Sequence, residues 1–172
     1  EGNTERPNVE KAREQFRNFT ERLGASAHLR KLPPAPGVPD LVFTANAGLV
    51  YGNKAILSRF RHDQRQPEEP LNRQWFEENG FEVFEVPPHL SFEGAGDALF
   101  DRGQARLFMG YGFRTDLEAA DFISDTLDID VIPLRLVDER FYHLDTCFCP
   151  LTGGKFIYYP AAFADPALKT IE

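Results

Sequence analysis

The stretch from Phe92 to Phe100 combines acidic residues and glycines between apolar flanks. It reads Phe92-Glu93-Gly94-Ala95-Gly96-Asp97-Ala98-Leu99-Phe100, so two carboxylates lie four residues apart. The apolar flanks favour burial, and a buried carboxylate is costly unless a cation pairs with it. Glu93 and Asp97 therefore predict a pocket for a cationic ligand.

A planar cation such as guanidinium suits this acidic pair, because paired carboxylate oxygens match its N–H groups. The alternative is structural: the two acids cap backbone N–H groups in a glycine-rich turn. The apolar flanks of Glu93 favour the ligand-binding interpretation.

His143 is the candidate for proton transfer. It lies in Tyr142-His143-Leu144-Asp145, and a histidine beside a carboxylate can be held in one tautomer and exchange protons near neutral pH. The alternative is a structural histidine in an apolar strand. The other histidines, His28, His62 and His89, are predicted to lie on the surface or in loops.

Arg65 and Arg114 each follow a predicted hairpin, where an arginine fork can clamp a carboxylate. Surface arginines without a ligand are the alternative. Cys147 and Cys149 carry thiols that can act as nucleophiles when their pKa is lowered. Both alternate with apolar residues in a predicted buried hairpin, which favours a structural role.

Composition restricts the function classes. The chain has 172 residues, of which 42% are hydrophobic, and this is enough for a substantial core in one domain. A net charge of −8 argues against nucleic acid and anionic membranes as partners. No apolar run reaches the length of a membrane span. Two cysteines without a metal-ligand pattern indicate a cytoplasmic setting and no metal site.

The positions of glycine, proline and apolar residues predict alternating helices and strands. Asn8 and Gly24 are predicted to cap the first helix, and Thr115 with Glu118 forms a capping box for the third. The predicted helices span 9–23, 67–79 and 115–127, the single strands 27–32, 41–44, 81–86 and 129–137, and the hairpins 49–57, 98–109 and 141–159, with a further helix beginning at Asp165.

These elements repeat. The turn glycines Gly52, Gly103 and Gly153 lie 51 and 50 residues apart, a period typical of radially arranged modules as in propeller-like folds. The alternative is an ordinary α/β sheet with similar units by coincidence.

Counting back from the turn glycines aligns the candidate residues of the modules. Asn46, Asp97 and Cys147 lie six residues before the glycines, and Val42, Glu93 and His143 lie ten before. Residues four apart on a strand share a face. If the modules pack around an axis, a central pocket is predicted, lined by Asn46, Glu93, Asp97, His143 and Asp145.

Three segments resemble the guanidine-modifying superfamily, or penteins, which includes arginine deiminases, dimethylarginine hydrolases and amidinotransferases. They are Leu41-Val42-Phe43-Thr44-Ala45-Asn46-Ala47-Gly48, Phe92-Glu93-Gly94-Ala95-Gly96-Asp97 and Phe141-Tyr142-His143-Leu144-Asp145-Thr146-Cys147-Phe148. The resemblance implies an α/β propeller of five modules with an axial site. Residues 1–172 then form about three modules of one catalytic domain that is truncated at both ends.

The resemblance also implies roles. Glu93 and Asp97 grip the guanidinium, His143 transfers protons, and Arg65 and Arg114 bind the carboxylate end of an arginine-like small molecule. A cysteine attacks the guanidinium carbon and water hydrolyses the resulting S-linked amidine, without a cofactor. In the family this cysteine lies in the last module, so this chain alone is expected to be inactive. A homo-oligomer is among the options for assembly.

Asn46 stands where arginine deiminases carry an aspartate. Arginine dihydrolases, which resemble this sequence more closely, carry the asparagine and convert arginine to ornithine, ammonia and carbon dioxide. An amide both donates and accepts, so it can hold a neutral ureido group for a second hydrolysis. The alternatives are a non-catalytic module that binds arginine, an amidinotransferase, and an enzyme in which Cys147 is the nucleophile.

Overall fold

The computed structural model describes residues 8–171, and the chain divides into two units between Pro33 and Pro34. The first unit contains one helix, α1 (Val9–Gly24), as predicted. Asn8 caps α1, because its side chain accepts a hydrogen bond from the Lys11 N–H at 3.0 Å.

The predicted strand at 27–32 is wrong, since these residues form no regular structure. A strand needs a hydrogen-bonded neighbour, and α1 is the single regular element among residues 8–33. The predicted apolar stripe of α1 is present but exposed, with Phe16 and Phe19 more than half accessible.

The second unit begins with a three-stranded sheet. Strands β1 (Gly48–Tyr51) and β2 (Lys54–Leu57) form the predicted antiparallel hairpin. Helix α2 (Glu69–Glu78) then leads to β3 (Glu82–Glu85), which pairs with β2 in parallel. The order of the sheet is therefore β1-β2-β3.

A second sheet repeats this arrangement. Strands β4 (Ala98–Phe100) and β5 (Arg106–Tyr111) are antiparallel, and helix α3 (Ala119–Leu127) leads to β6 (Asp130–Arg135), which is parallel to β5. A third hairpin, β7 (Phe148–Pro150) with β8 (Phe156–Tyr158), precedes α4 (Asp165–Ile171). The predicted α/β class and the repeated unit are confirmed.

The period is most regular at the start of the hairpins. Strands β1, β4 and β7 begin at Gly48, Ala98 and Phe148, 50 residues apart each time. The core lies between strands and helices, and Leu107, Met109 and Ile123 are fully buried in it. Each such side chain contributes about 1.5–3 kcal/mol by leaving water. Within residues 8–171, every helix is too short or too polar to cross a bilayer.

Two segments predicted as strands are 3-10 turns instead. Residues 41–44 fall in the turns Pro39–Val42 and Thr44–Asn46, and residues 141–147 fall mainly in Glu139–Phe141 and Leu144–Thr146. Leu41 and Leu144 are buried without pairing in a sheet, whereas Val42 and Phe43 are exposed, so the apolar pattern alone was misleading. The third helix also begins at Ala119, three residues later than a capping box with Thr115 as the N-cap requires.

Candidate active site

Three 3-10 turns precede the three hairpins and bring the predicted site residues together. They span Thr44–Asn46, Gly94–Gly96 and Leu144–Thr146, and one residue separates each turn from its strand. The middle turn contacts both of the others. The residues that flank these turns therefore meet at one place.

The structure corrects the alignment of the first module by one residue. Phe43, Glu93 and His143 precede the three turns, and Ala47, Asp97 and Cys147 follow them. Asn46 thus corresponds to Gly96 and Thr146, and the predicted match between Asn46 and Asp97 is wrong. The first hairpin has the tight turn Gly52-Asn53, so its glycine comes one residue earlier than in the longer second and third loops.

The spacing predicted that residues four apart lie on one face of a strand, and this prediction is wrong. Glu93 and Asp97 lie at the two ends of the Gly94–Gly96 turn. Gly96 lets the neighbouring turn approach, because a Cβ atom there would overlap Asn46 Nδ2 and lie 3.6 Å from His143 Nδ1. The close meeting of the turns therefore depends on this glycine.

Glu93 is completely buried and contacts several cationic or N–H groups. Its Oε1 accepts a hydrogen bond from the Arg61 backbone N–H at 3.2 Å. Its Oε2 lies 3.4 Å from Arg114 Nη1 and 3.4 Å from His143 Nε2. The carboxylate is thus oriented from both sides in a place that water does not reach.

Asp97, which is 1% exposed, faces the other nitrogen of the same imidazole. Its Oδ1 accepts a hydrogen bond from the Leu144 N–H at 3.1 Å. Nδ1 of His143 lies 3.1 Å from that oxygen, but out of line for a hydrogen bond. His143 therefore has a carboxylate on each side, and an imidazole there can accept or donate a proton.

Thr115 connects the two acids and was not predicted to be a site residue. Its hydroxyl donates to Asp97 Oδ2 at 2.7 Å and accepts from the Glu93 N–H at 3.1 Å. No local pattern indicated this role, because Thr115 with Glu118 fits the pattern of a capping box. The hydroxyl therefore bonds to the two acidic residues of the site and does not cap the helix.

Asn46 lies between Arg65 and the acidic centre. Its Nδ2 donates to the Glu93 carbonyl oxygen at 3.0 Å and lies 3.5 Å from His143 Nε2. Its Oδ1 accepts a hydrogen bond from Arg65 Nη1 at 3.0 Å. The amide thus presents its donor side to the histidine.

The two candidate arginines have different surroundings. Arg65 is buried, and Glu68 accepts two hydrogen bonds from it, from Nε and Nη2, each 2.8 Å long. Arg114 is partly exposed, and its guanidinium lies 4.7 Å from the centre of the Tyr142 ring. Binding of a substrate carboxylate by these arginines stays a prediction. Glu68 was missed, although opposite charges three residues apart at the start of a helix are a recognisable signal.

Asp145 lies on the exposed side of the third turn. The loss of water around the part of its carboxylate that packs against protein raises its pKa, and the charge of Asp97 adds to this while His143 opposes it. Asp145 is therefore close enough to these two residues to be affected by their charges.

The two cysteines differ in their exposure to solvent. Burial raises the pKa of Cys147 to about 12, so its thiol stays protonated at neutral pH. This favours the structural role predicted for Cys147 over that of a nucleophile. Cys149 is exposed, contrary to the prediction that both thiols are buried. His28, His62 and His89 are exposed, as predicted.

Fold and geometry together define an α/β protein whose repeated hairpin units bury two acids against one histidine. A family model described as N,N dimethylarginine dimethylhydrolase, eukaryotic, matches residues 2–162. The chain belongs to this family, which confirms the resemblance drawn from the three segments.

Similar proteins include two cyanobacterial enzymes. Bifunctional arginine dihydrolase/ornithine cyclodeaminase ArgZ of Synechocystis sp. is 54% identical over 172 residues, which cover 100% of this chain and 24% of ArgZ. The enzyme AgrE of Nostoc sp., with the same description, is 51% identical over 172 residues, again covering 100% of this chain and 24% of the relative. The chain therefore spans about a quarter of the length of these relatives.

A solved structure supports the same relationship. The crystal structure of a variant of the N-terminal domain of ArgZ, covalently bound to a reaction intermediate, matches with a TM-score of 0.89 and 54% identity. The match covers 95% of this chain and 60% of that chain. The backbone of the hairpin units is therefore shared with a domain that forms a covalent intermediate.

Proposed function

We propose that the protein containing this chain hydrolyses the guanidinium C–N bonds of arginine, giving ornithine, two molecules of ammonia and carbon dioxide. One observation carries the proposal: Glu93 and Asp97, buried to 0% and 1% exposure, lie on either side of His143. Two buried acids beside a proton carrier suit a substrate that is a cation and must exchange protons.

Recognition of the guanidinium is proposed for Glu93 and Asp97, and the geometry of Glu93 supports it most directly. Its Oε2 already lies 3.4 Å from the guanidinium of Arg114, so this oxygen is oriented to accept such a donor. In the proposed complex the substrate takes this position. Arg114, which stacks on Tyr142 at the edge of the site, is then available for the substrate's carboxylate.

The first hydrolysis passes through a covalent intermediate. A cysteine thiolate attacks the guanidinium carbon, the C–N bond to the leaving nitrogen breaks, and His143 supplies the proton with which ammonia departs. Water then attacks the S-linked amidine, His143 takes a proton from it, and the thiolate leaves. The raised pKa of Cys147 makes it unsuited to this step, so another residue of the whole protein is proposed as the nucleophile.

The second hydrolysis depends on Asn46. The ureido group of the citrulline-like intermediate is neutral and presents a carbonyl oxygen, which needs a donor. Asn46 Nδ2 faces His143 at 3.5 Å and can supply that donor, whereas an ionised aspartate accepts only. Addition of a second water then releases the remaining ammonia, carbon dioxide and ornithine.

The proposed setting is one catalytic domain, to which residues 1–172 contribute about three of five modules of an α/β propeller. The 50-residue spacing of the hairpins and the contact between their 3-10 turns support it. The proposed ligand is a small guanidino compound, and formation of a homo-oligomer stays a prediction.

Hydrolysis of dimethylarginine is a second candidate, favoured by the description of the matching family model. Incubation of the full-length protein with arginine and with dimethylarginine separates the two. We expect ornithine and two ammonia per arginine. Citrulline as the sole stable product excludes the dihydrolase assignment, and release of dimethylamine from dimethylarginine alone supports the second candidate.

Paired variants test the site itself. Glu93→Gln and His143→Asn are expected to abolish arginine consumption. The controls are the same substitutions at exposed residues, Glu82→Gln and His89→Asn. Retained turnover in either site variant contradicts the proposed roles. A protein that binds arginine tightly but consumes none is a binding module and not an enzyme.

A further inference from the structure

We propose that Glu68 is a positioning residue, which acts through Arg65 to fix the orientation of the Asn46 amide and so promotes the second hydrolysis. The inference rests on the proposed function. Glu68 lies 2% exposed at the end of the turn Gln66–Glu68, outside the segments that carry the acidic centre.

The contact between Glu68 and Arg65 is bidentate. Arg65 Nε donates to Oε1 and Nη2 donates to Oε2, both at 2.8 Å. Such a pair fixes the plane of the guanidinium as well as its position. The guanidinium also lies 4.3 Å from the centre of the Phe60 ring, and Nη2 donates to the Asp40 carbonyl oxygen at 3.3 Å.

The remaining terminal nitrogen, Nη1, contacts Asn46 Oδ1 at 3.0 Å. A guanidinium only donates hydrogen bonds, so it favours the oxygen of the amide as its neighbour and disfavours the NH2 group. Turning the amide over would set two donors together at Arg65 and two oxygens together at Glu93. Arg65 therefore holds Asn46 Nδ2 toward the Glu93 carbonyl and His143.

The two hydrolyses depend on this arrangement to different degrees. The first needs the carboxylates and the histidine, which do not contact Glu68 in the described structure. The second needs the Asn46 donor. Without the negative charge of Glu68, the buried Arg65 loses its partner and leaves the plane that orients the amide.

The test uses the full-length protein with arginine as substrate and compares Glu68→Gln with Glu68→Asp and with Glu77→Gln, a control on the exposed face of α2. Arginine consumption and the ratio of ornithine to citrulline are measured together. For Glu68→Gln we expect a ratio lower by about tenfold, the effect of losing one charge-assisted hydrogen bond, while arginine consumption slows by about threefold. Glu68→Asp keeps the charge and is expected to restore part of the ratio.

Two results overturn the proposal. One is an unchanged product ratio in Glu68→Gln, and the other is an equal fall of both steps, which indicates a structural role or a contact of Arg65 with the substrate carboxylate. A crystal structure of the Glu68→Gln variant tests the positioning of Asn46 by Arg65 independently of any activity measurement. We expect the 3.0 Å contact from Arg65 Nη1 to Asn46 Oδ1 to open beyond hydrogen-bond distance.

The same crystal structure separates failure of the inference from failure of the proposed function. If the wild-type protein forms no ornithine, the proposed function is wrong, and an altered Arg65–Asn46 contact in the variant still establishes the positioning role. If ornithine forms and the contact is unchanged in the variant, the function stands and the inference is wrong.

Discussion

The hydroxyl of Thr115 donates a hydrogen bond to Asp97 Oδ2 at 2.7 Å. The hydroxyl oxygen of Thr115 also accepts a hydrogen bond from the backbone N–H of Glu93 at 3.1 Å. Since Thr115 is 1% exposed, water cannot replace either bond. One hydroxyl therefore fixes the relative position of the two acids on which the proposed recognition of guanidinium depends.

Replacement of Thr115 by valine keeps the volume and removes the hydroxyl. A buried N–H and a buried carboxylate then each lose a partner, at a cost of about 1–3 kcal/mol in the free energy of unfolding. We expect arginine consumption by the full-length protein to fall by about tenfold or more, because the acids are no longer held together. Urea denaturation and an ammonia assay measure the two effects.

Two further variants make this prediction specific. Thr115→Ser keeps the hydroxyl and is expected to retain most activity. Thr126→Val removes a hydroxyl that donates to the Phe122 carbonyl within α3, and we expect it to leave turnover unchanged. Equal activity in the valine and serine variants of Thr115 would show that the bridge between the acids is unimportant.

Gly96 permits the contact between the first two turns, and Gly96→Ala tests it. A Cβ atom at this position overlaps Asn46 Nδ2, so the amide or the turn must move. We expect a loss of about 1–3 kcal/mol in stability, the typical cost of overpacking, with a marked fall in ornithine formation. Thermal unfolding and product analysis of the full-length protein are the measurements.

The matched control is Gly103→Ala, where the nearest atom to the added Cβ is Asp101 Oδ1 at 3.7 Å. This is an ordinary contact, so the change is expected to be neutral. If both glycine variants behave alike, the space around Asn46 is less restricted than the structure indicates.

The accessibility of the thiols gives a prediction about reactivity. Burial raises the pKa of Cys147 to about 12, whereas Cys149 is exposed. Only the thiolate reacts with iodoacetamide at a useful rate, so at pH 8 we expect alkylation of Cys149 and protection of Cys147 until the protein unfolds. Peptide mass spectrometry of the native full-length protein distinguishes the two sites. Rapid labelling of native Cys147 would reopen its assignment as the nucleophile.

Much of the fold follows from local pattern. The three hairpins have turn glycines, and the helices at 69–78 and 119–127 have apolar periodicity. Both signals are recognisable within a window of about fifteen residues. The strand predicted at 27–32 is absent, and the remaining errors fall on the segments at 41–44 and 141–147, which lie mainly in 3-10 turns. Their conformation is set by contacts between modules about fifty residues apart, which a local pattern does not contain.

The same limit applies to the site. Glu93, Asp97 and His143 were identified because unusual residue types occur at repeated positions, and the structure brings them together. Thr115 and Glu68 were missed because their partners lie on other segments or because their local patterns have a more common explanation. Residues that touch a ligand are often recognisable by type, whereas a residue that positions another, such as Thr115, becomes recognisable when its contact across the fold is known.

Two aspartates near the third turn have pKa values shifted in opposite directions, so we expect them to affect the pH dependence of stability in opposite ways. Hydrogen bonds from the Arg140 side chain and backbone lower the pKa of Asp138, so its stabilisation is present above the unfolded value of 3.8 and is lost as the pH falls through the folded value. Loss of hydration raises the pKa of Asp145, so its ionisation opposes folding once the pH has risen through the raised value. At pH 7 we therefore expect Asp138→Asn to lower and Asp145→Asn to raise the free energy of unfolding.

The Asp145 difference is expected to shrink as the pH falls from 7 through the raised folded value toward 3.8, because the Asp145 carboxyl of the folded protein then becomes neutral. The Asp138 difference is expected to be largely retained at pH 4 and to be lost only at lower pH, as the carboxyl passes through its lowered folded value. Urea denaturation of wild type and both variants at pH 7 and pH 4 measures this. The comparison also bears on function: if Asp145→Asn is more stable and less active, Asp145 acts on the neighbouring His143 at a cost in stability. A loss of stability at pH 7 equal to that of Asp138→Asn contradicts the assignment, since it shows that the Asp145 carboxylate is stabilised in the folded protein.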